Sequence, residues 1–277
     1  VKKHNTFAEA LRAVDPTIKL VGVGATGDWS KTMLANCADH MDYLSEHFYC
    51  KNKKDLAAHV RQIPENVKLK ADAQRQYFKE IPSLANKKIP IALDEWNFWY
   101  GPDLYGEIGT RYFLKDALGI AAGLHEYFRN SDIFFMANYA QTVNVIGAIK
   151  TSKTAAAFET TGLVLKLYRR EFGTLPVKVG GDIAPLDVAA AWRDDRKAIT
   201  IGIVNPTMEE KDIELALTNA NLAGTGKLYT ITGKDPNAYN EPGKKPEVVI
   251  AEKHVKAISN RLKSPPDSVC LYVLDVK

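Results

Sequence analysis

The sequence predicts an α/β protein in which half of a (β/α)8 barrel is followed by an antiparallel β-sandwich. Three observations carry this. Up to about residue 175, short apolar runs alternate with stretches of helical periodicity, the pattern of βαβ units around a parallel sheet. Four strands can be counted there, half of what a closed barrel needs. From Pro176 onward the chain changes to short β-rich runs separated by turn residues, which is sandwich grammar. The expected domains are therefore 1–175 for the half-barrel and 176–277 for the sandwich.

Taken in order, Phe7, Ala10, Leu11 and Val14 share one helical face, and Asp15-Pro16 ends that helix. Residues 18–23 read as a short buried strand, and a helix follows from about Ser30. Residues 43–49 are the next strand. Ala71, Tyr77, Phe78, Ile81 and Leu84 give helical spacing over about 67–84. A strand ends at Asp94-Glu95, and a long helix is expected over about 104–128. Residues 133–137 form the fourth strand, and 155–168 a further helix. In the second domain, strands are expected at 188–192, 198–204, 213–217, 227–232, 247–251 and 268–274.

Composition excludes several classes. A chain of 277 residues with 45% hydrophobic and 25% charged residues can bury a sizeable core, so disordered and fibrous classes drop out. The net charge is only +4 and the lysines are scattered, so no nucleic-acid partner is expected. No apolar run approaches a membrane span, and no membrane partner is expected. Cys37, Cys50 and Cys270 lack metal-ligand spacing and read as buried small hydrophobes.

The chemistry concentrates in Ile89-Pro90-Ile91-Ala92-Leu93-Asp94-Glu95-Trp96-Asn97-Phe98-Trp99-Tyr100. An apolar strand runs straight into two carboxylates, an amide and three aromatic rings. Strand interiors exclude charge, so Asp94 and Glu95 belong at the C-terminal rim, where barrel active sites are built. Carboxylates beside indoles suit a sugar site, with Glu95 as nucleophile. A structural ion pair is the alternative for Glu95, and core packing is the alternative for Trp96 and Trp99. Adjacent strand residues face opposite ways, so Asp94 is expected to hydrogen-bond behind the site. Gly22-Val23-Gly24-Ala25-Thr26-Gly27 matches a dinucleotide fingerprint after a strand and before a helix. Asp28-Trp29 directly after the third glycine places an acid and a bulky ring where phosphates would sit. The run therefore reads as a loop that needs small residues.

Leu93-Asp94-Glu95-Trp96-Asn97-Phe98-Trp99-Tyr100, followed by Ala140-Gln141-Thr142-Val143-Asn144-Val145-Ile146-Gly147, resembles the family 51 glycoside hydrolases, the α-L-arabinofuranosidases. Ser45-Glu46-His47-Phe48-Tyr49 and Phe7-Ala8-Glu9-Ala10-Leu11-Arg12 suit that family too. The resemblance implies the second half of the TIM barrel plus the β-sandwich, and a retaining mechanism with Glu95 as nucleophile. It implies substrate contacts by Tyr49, His47, Gln141, Trp99 and Asn97, of which Tyr49 hydrogen-bonds near the nucleophile and Trp99 shapes the leaving-group side. It implies neither cofactor nor metal. The partners it implies are arabinose-containing oligosaccharides or polysaccharides and a homo-oligomer, a hexamer in the family.

One departure stands out. The family's acid/base is a glutamate after Gly-Asn, and this chain has no Gly-Asn-Glu. The missing N-terminal half of the barrel, in the same or a second polypeptide, is expected to supply it. Glu46 is a weak stand-in because it alternates away from His47 and Tyr49. A retaining hydrolase acting on β-linked xylan or glucan, and a catalytically incomplete carbohydrate-binding fragment, are the other readings.

Overall fold

The computed structural model describes residues 1–101, 109–258 and 260–277. The chain forms two compact units, one of Val1–Tyr49, Glu65–Asn97 and Asn130–Ala140, the other of Cys50–Pro64, Phe98–Arg129 and Gln141–Lys277. The elements run α1 (Lys2–Val14), β1 (Val21–Gly22), α2 (Asp28–Cys37), β2 (Tyr43–Cys50), α3 (Leu56–Glu80), β3 (Ile91–Phe98), α4 (Leu114–Arg129) and β4 (Phe134–Tyr139). A hairpin of β5 (Ile149–Thr151) and β6 (Ala156–Phe158) leads into α5 (Thr160–Glu171). The remaining strands are β7 (Leu175–Val177), β8 (Asp187–Trp192), β9 (Ala198–Asn205), β10 (Lys211–Glu214), β11 (Leu222–Thr232), β12 (Val249–Lys256), β13 (Arg261–Ser264) and β14 (Ser268–Val276).

The first unit is built on a sheet of order β1-β2-β3-β4, in which β1 pairs parallel with β2 and β3 parallel with β4. Strand order equals chain order, as in a barrel wall. Helix α2 buries Ser30, Met33, Leu34 and Cys37 at helical spacing. Met33, Leu34 and Cys37 pack with Met41, Leu44, Tyr77, Ile81, Leu84 and Ile89 into one cluster. The apolar stripe of α1 behaves otherwise. Phe7, Leu11 and Val14 are 59%, 50% and 88% exposed, and Ala8 is the buried residue of that helix.

The glycine run is explained by packing. A Cβ on Gly24 would lie 2.0 Å from the Ser45 carbonyl oxygen of β2, so the loop needs a bare backbone there. The obstacle is main chain and cannot rotate away. Gly24→Ala is expected to destabilise by about 3 kcal/mol, read as a lowered urea midpoint.

The second unit carries a six-stranded antiparallel sheet of order β12-β11-β14-β9-β8-β7. The short β10–β13 ribbon covers it. Ile213 and Leu262 of that ribbon share a core with Val188, Ile199, Ile201, Ile203, Cys270, Tyr272 and Leu274. Helix α4 meets this sheet through a buried polar cluster. His125 bonds Asp187 at 2.6 Å through Nδ1 and the Tyr168 hydroxyl at 2.6 Å through Nε2. Arg129 adds a 2.7 Å bond to Asp187. Gly202 of β9 makes room, since a Cβ there would lie 2.5 Å from His125 Nε2. Burial raises the Asp187 carboxyl, and the bonds and charges of His125 and Arg129 outweigh it, so its pKa ends below the usual value.

Several boundaries differ from the sequence reading. The first strand shrinks to two residues. The helix expected from 67 begins at Leu56 and runs through Pro64, where the missing N–H would ordinarily mark a stop. The helix expected over 104–128 begins at Leu114, and the part of that expectation at 104–108 lies outside the described residues. Ahead of it, Tyr112 N–H donates to the Glu159 carboxylate, which holds the segment out of helix. Residues 156–158 are strand rather than helix because they pair with β5.

Candidate active site

Strand β3 delivers the carboxylates. Its pairing with β4 runs Leu93↔Ala137 and then Trp96↔Tyr139, three residues against two, so β3 bulges at Asp94-Glu95. The bulge corrects the strict alternation expected from sequence. Both carboxylates are exposed, and both meet residues of one parity on β2. Ser45 Oγ donates to Asp94 Oδ2 at 2.8 Å, and the Tyr49 hydroxyl donates to Glu95 Oε1. Asp94 therefore stands beside Glu95 rather than behind it. Ser45 escaped the sequence reading, although its parity with His47 and Tyr49 was the available signal.

Tyr49 is partly buried, and burial first, then the hydrogen bond and charge of Glu95, push its phenol well above the usual range. It stays a donor throughout the physiological range. His47, two residues away on the same face, is exposed. Trp96 is 1% exposed and sits edge-on to Tyr139, so it is core. Asn97, expected among the substrate contacts, is fully buried, and its amide donates to the Ala140 carbonyl. With Ala140 N–H bonded to the Trp96 carbonyl at 3.2 Å, it fastens β3 to the end of β4.

Glu46 is no free acid. Its side chain is 3% exposed and bonds Lys70 Nζ at 2.7 Å, while Ser30 Oγ donates to it at 2.8 Å. Lys70 also reaches Thr26 Oγ1 at 3.1 Å, and Ala25 N–H donates to Ser30 Oγ at 2.9 Å. The buried pair thus pins the glycine loop to β2, a role that sequence spacing does not reveal.

In the second unit, Trp99 is 37% exposed, with the Lys51 ammonium 5.2 Å from its ring centre. Its N–H donates to the Cys50 carbonyl at 2.9 Å. Tyr100 donates to Asp116, which also bonds His59 Nε2 at 2.9 Å and Phe113 N–H at 2.6 Å. Gln141 is exposed at the base of a short loop, its carbonyl accepting from Ala148 N–H at 3.1 Å. Cys37, Cys50 and Cys270 are buried, as expected from their spacing.

The strand expected to end at Asp94-Glu95 runs on to Phe98, so the carboxylates stand on a bulge within β3 rather than at its end. Exposed carboxylates on a parallel strand, one of them held by a tyrosine hydroxyl, are the chemistry that barrel glycosidases use. Comparison with known proteins narrows the class. Residues 94–268 match the family model of the alpha-L-arabinofuranosidase C-terminal domain, and the chain belongs to that family. A probable alpha-L-arabinofuranosidase C of Aspergillus clavatus is 29% identical over 90% of this chain and 56% of its own length. An intracellular exo-alpha-(1->5)-L-arabinofuranosidase of Bacillus subtilis is 24% identical over 86% of the chain and 54% of its own. The chain thus spans about half the length of these curated relatives. The crystal structure of an alpha-L-arabinofuranosidase from Thermotoga maritima in complex with arabinose superposes with a TM-score of 0.87 at 24% identity, covering 98% of this chain and 61% of that one. That likeness establishes the fold, a barrel wall joined to a sandwich.

Proposed function

We propose that the chain carries the nucleophile-bearing half of a retaining α-L-arabinofuranosidase that releases terminal arabinofuranosyl residues from arabinoxylan, arabinan or their oligosaccharides. The observation that carries this is Glu95, exposed on a bulge of β3 and held by the Tyr49 hydroxyl. Glu95 attacks the anomeric carbon, and the bond to the leaving oxygen breaks as a covalent arabinosyl ester forms. A glutamate outside residues 1–277 protonates the leaving oxygen and then activates the water that hydrolyses the ester. Tyr49 orients the nucleophile, and Asn97 keeps β3 in register with β4. Gln141, His47 and Trp99 take arabinose and leaving-group contacts on the strength of the family resemblance.

The domains under this reading are 1–175, the second half of the barrel, and 176–277, the sandwich. The N-terminal half, in the same or a second polypeptide, covers the β1 edge. In favour is a groove of about 450 Å³ lined by Phe7, Leu11, Val21, Val23 and Trp29, which are 42–61% exposed. Exposed apolar surface beside an open parallel edge is a place for further strands. The half-length match to the relatives agrees.

Aryl leaving groups depart without proton donation, so the chain itself is expected to release a nitrophenol from its α-L-arabinofuranoside. Release from the corresponding β-xyloside and β-glucoside should be at least about tenfold slower, since the family contacts are built for a furanose. Equal release from all three, or none from the folded chain, contradicts the reading.

A further inference from the structure

The loop 141–148 holds a conformation that its side chains do not explain. Asn144 and Val145 are consecutive residues with φ of +53° and +47°. For a β-branched residue such as valine this region is a genuine outlier, and such strain persists where the surroundings over-determine it. Burial does not compensate, because Val143 and Val145 are 47% and 49% exposed. Main-chain and polar bonds do. Thr110 N–H donates to the Val145 carbonyl at 2.7 Å, and Lys150 Nζ donates to the same oxygen at 2.9 Å. Asn144 is tied to β5 by Thr151 N–H at 2.9 Å and by its own amide to Thr151 Oγ1 at 3.0 Å. The Tyr112 hydroxyl shares its proton between the Phe98 carbonyl at 2.8 Å and the Ile146 carbonyl at 3.1 Å.

Lys150 is the unusual member of this set. It is fully buried, and among the described residues its acceptor is a main-chain carbonyl rather than a carboxylate. An ammonium taken out of water is costly unless its bonds use it. Two neighbours support the charge. The Tyr112 ring centre lies 5.5 Å from Nζ, and Glu159, 2% exposed at the start of α5, acts on it through space. Arg111 and Asp116 act on Glu159 in turn with opposite signs.

We propose that Lys150 is a positioning residue whose ammonium latches the strained loop 141–147 in the conformation that presents Gln141, and that losing its proton loosens the loop. Gln141 sits within the fold of this loop, its N–H bonded to the Ile146 carbonyl at 3.3 Å and its carbonyl to Ala148 N–H at 3.1 Å. The purpose of the latch rests on the arabinofuranosidase reading, but its mechanics do not.

Burial lowers Lys150 to about 8, with the Glu159 charge opposing that fall, and burial raises Glu159 to about 7. The ammonium is therefore present at neutral pH and lost as pH rises through about 8. A neutral amine is a weaker donor to the Val145 carbonyl.

Amide hydrogen exchange of the peptide spanning 141–149 tests this, corrected for intrinsic exchange and referenced to β9 of the sandwich. In the unaltered chain, loop protection is expected to fall at least about tenfold between pH 7 and 9.5, while β9 protection holds. In Lys150→Met the loop should be unprotected at both pH values and the step should vanish. Glu159→Gln keeps an acceptor for Tyr112 N–H and should move the step to lower pH. A loop equally protected at both pH values in the unaltered chain overturns the proposal, as does a step that survives in Lys150→Met. The assay uses no substrate. A missing step therefore removes the latch alone, and a step without nitrophenol release from the aryl α-L-arabinofuranoside removes the glycosidase reading alone.

Discussion

Replacing Glu95 by alanine is expected to lower phenolate release from an aryl α-L-arabinofuranoside by at least about a thousandfold, with the fold intact. The side chain is exposed, so its truncation leaves no cavity. The loss would therefore be chemical. Tyr49→Phe gives a graded companion result. It removes a hydroxyl that donates to the Glu95 carboxylate and that burial keeps protonated. A bond to a charged group is worth about 1.5–3 kcal/mol, so the rate should drop about 10- to 100-fold. Parallel kinetics on the three chains check both values. An ion-pair role for Glu95, the alternative open from sequence, would leave the rate of Glu95→Ala unchanged.

The second large effect concerns stability. Lys70→Met is expected to cost about 3–5 kcal/mol, because it strands a buried carboxylate. Glu46 would keep its bond from Ser30 Oγ and lose its 2.7 Å partner. The same change frees Thr26 and loosens the glycine loop from β2. Urea unfolding of Lys70→Met, Glu46→Gln and the double variant forms a cycle, and the double variant should recover much of the single loss. Equal midpoints for Lys70→Met and the unaltered chain would show that the pair is not a fastening.

The chain's architecture was legible because its periodicities are strong. Alternation of apolar strands with 3.6-period helices gave the βαβ half, and β-rich runs after Pro176 gave the sandwich, as the fold comparison bears out. Errors arose where a tertiary contact overrode a local signal. Pro64 sits inside α3, Tyr112 is pulled out of helix by Glu159, and residues 156–158 pair with β5. The stripe of Phe7, Leu11 and Val14 was readable as a face, but periodicity does not say what that face meets.

The candidate site was legible in its residue types and less so in their directions. Glu95 and Tyr49 lie together, a contact that the family resemblance implied and that neither motif carries by itself. The bulge that brings Asp94 beside Glu95 left no mark that alternation could reveal. Asn97 shows the reverse case, a polar residue in a motif whose amide is used inside the sheet. Glu46 is similar, since its partner Lys70 lies on a different element, 24 residues away.

Covalent trapping shows whether Glu95 is the nucleophile. With an activated aryl α-L-arabinofuranoside, Glu95 can expel the leaving group unaided, whereas hydrolysis of the arabinosyl ester needs a general base. The chain mixed with excess dinitrophenyl α-L-arabinofuranoside should therefore gain the mass of one arabinosyl group, carried on the peptide containing Glu95. That adduct is expected in the unaltered chain and should be absent in Glu95→Ala. An adduct on another residue, or no adduct on the folded chain, would contradict it.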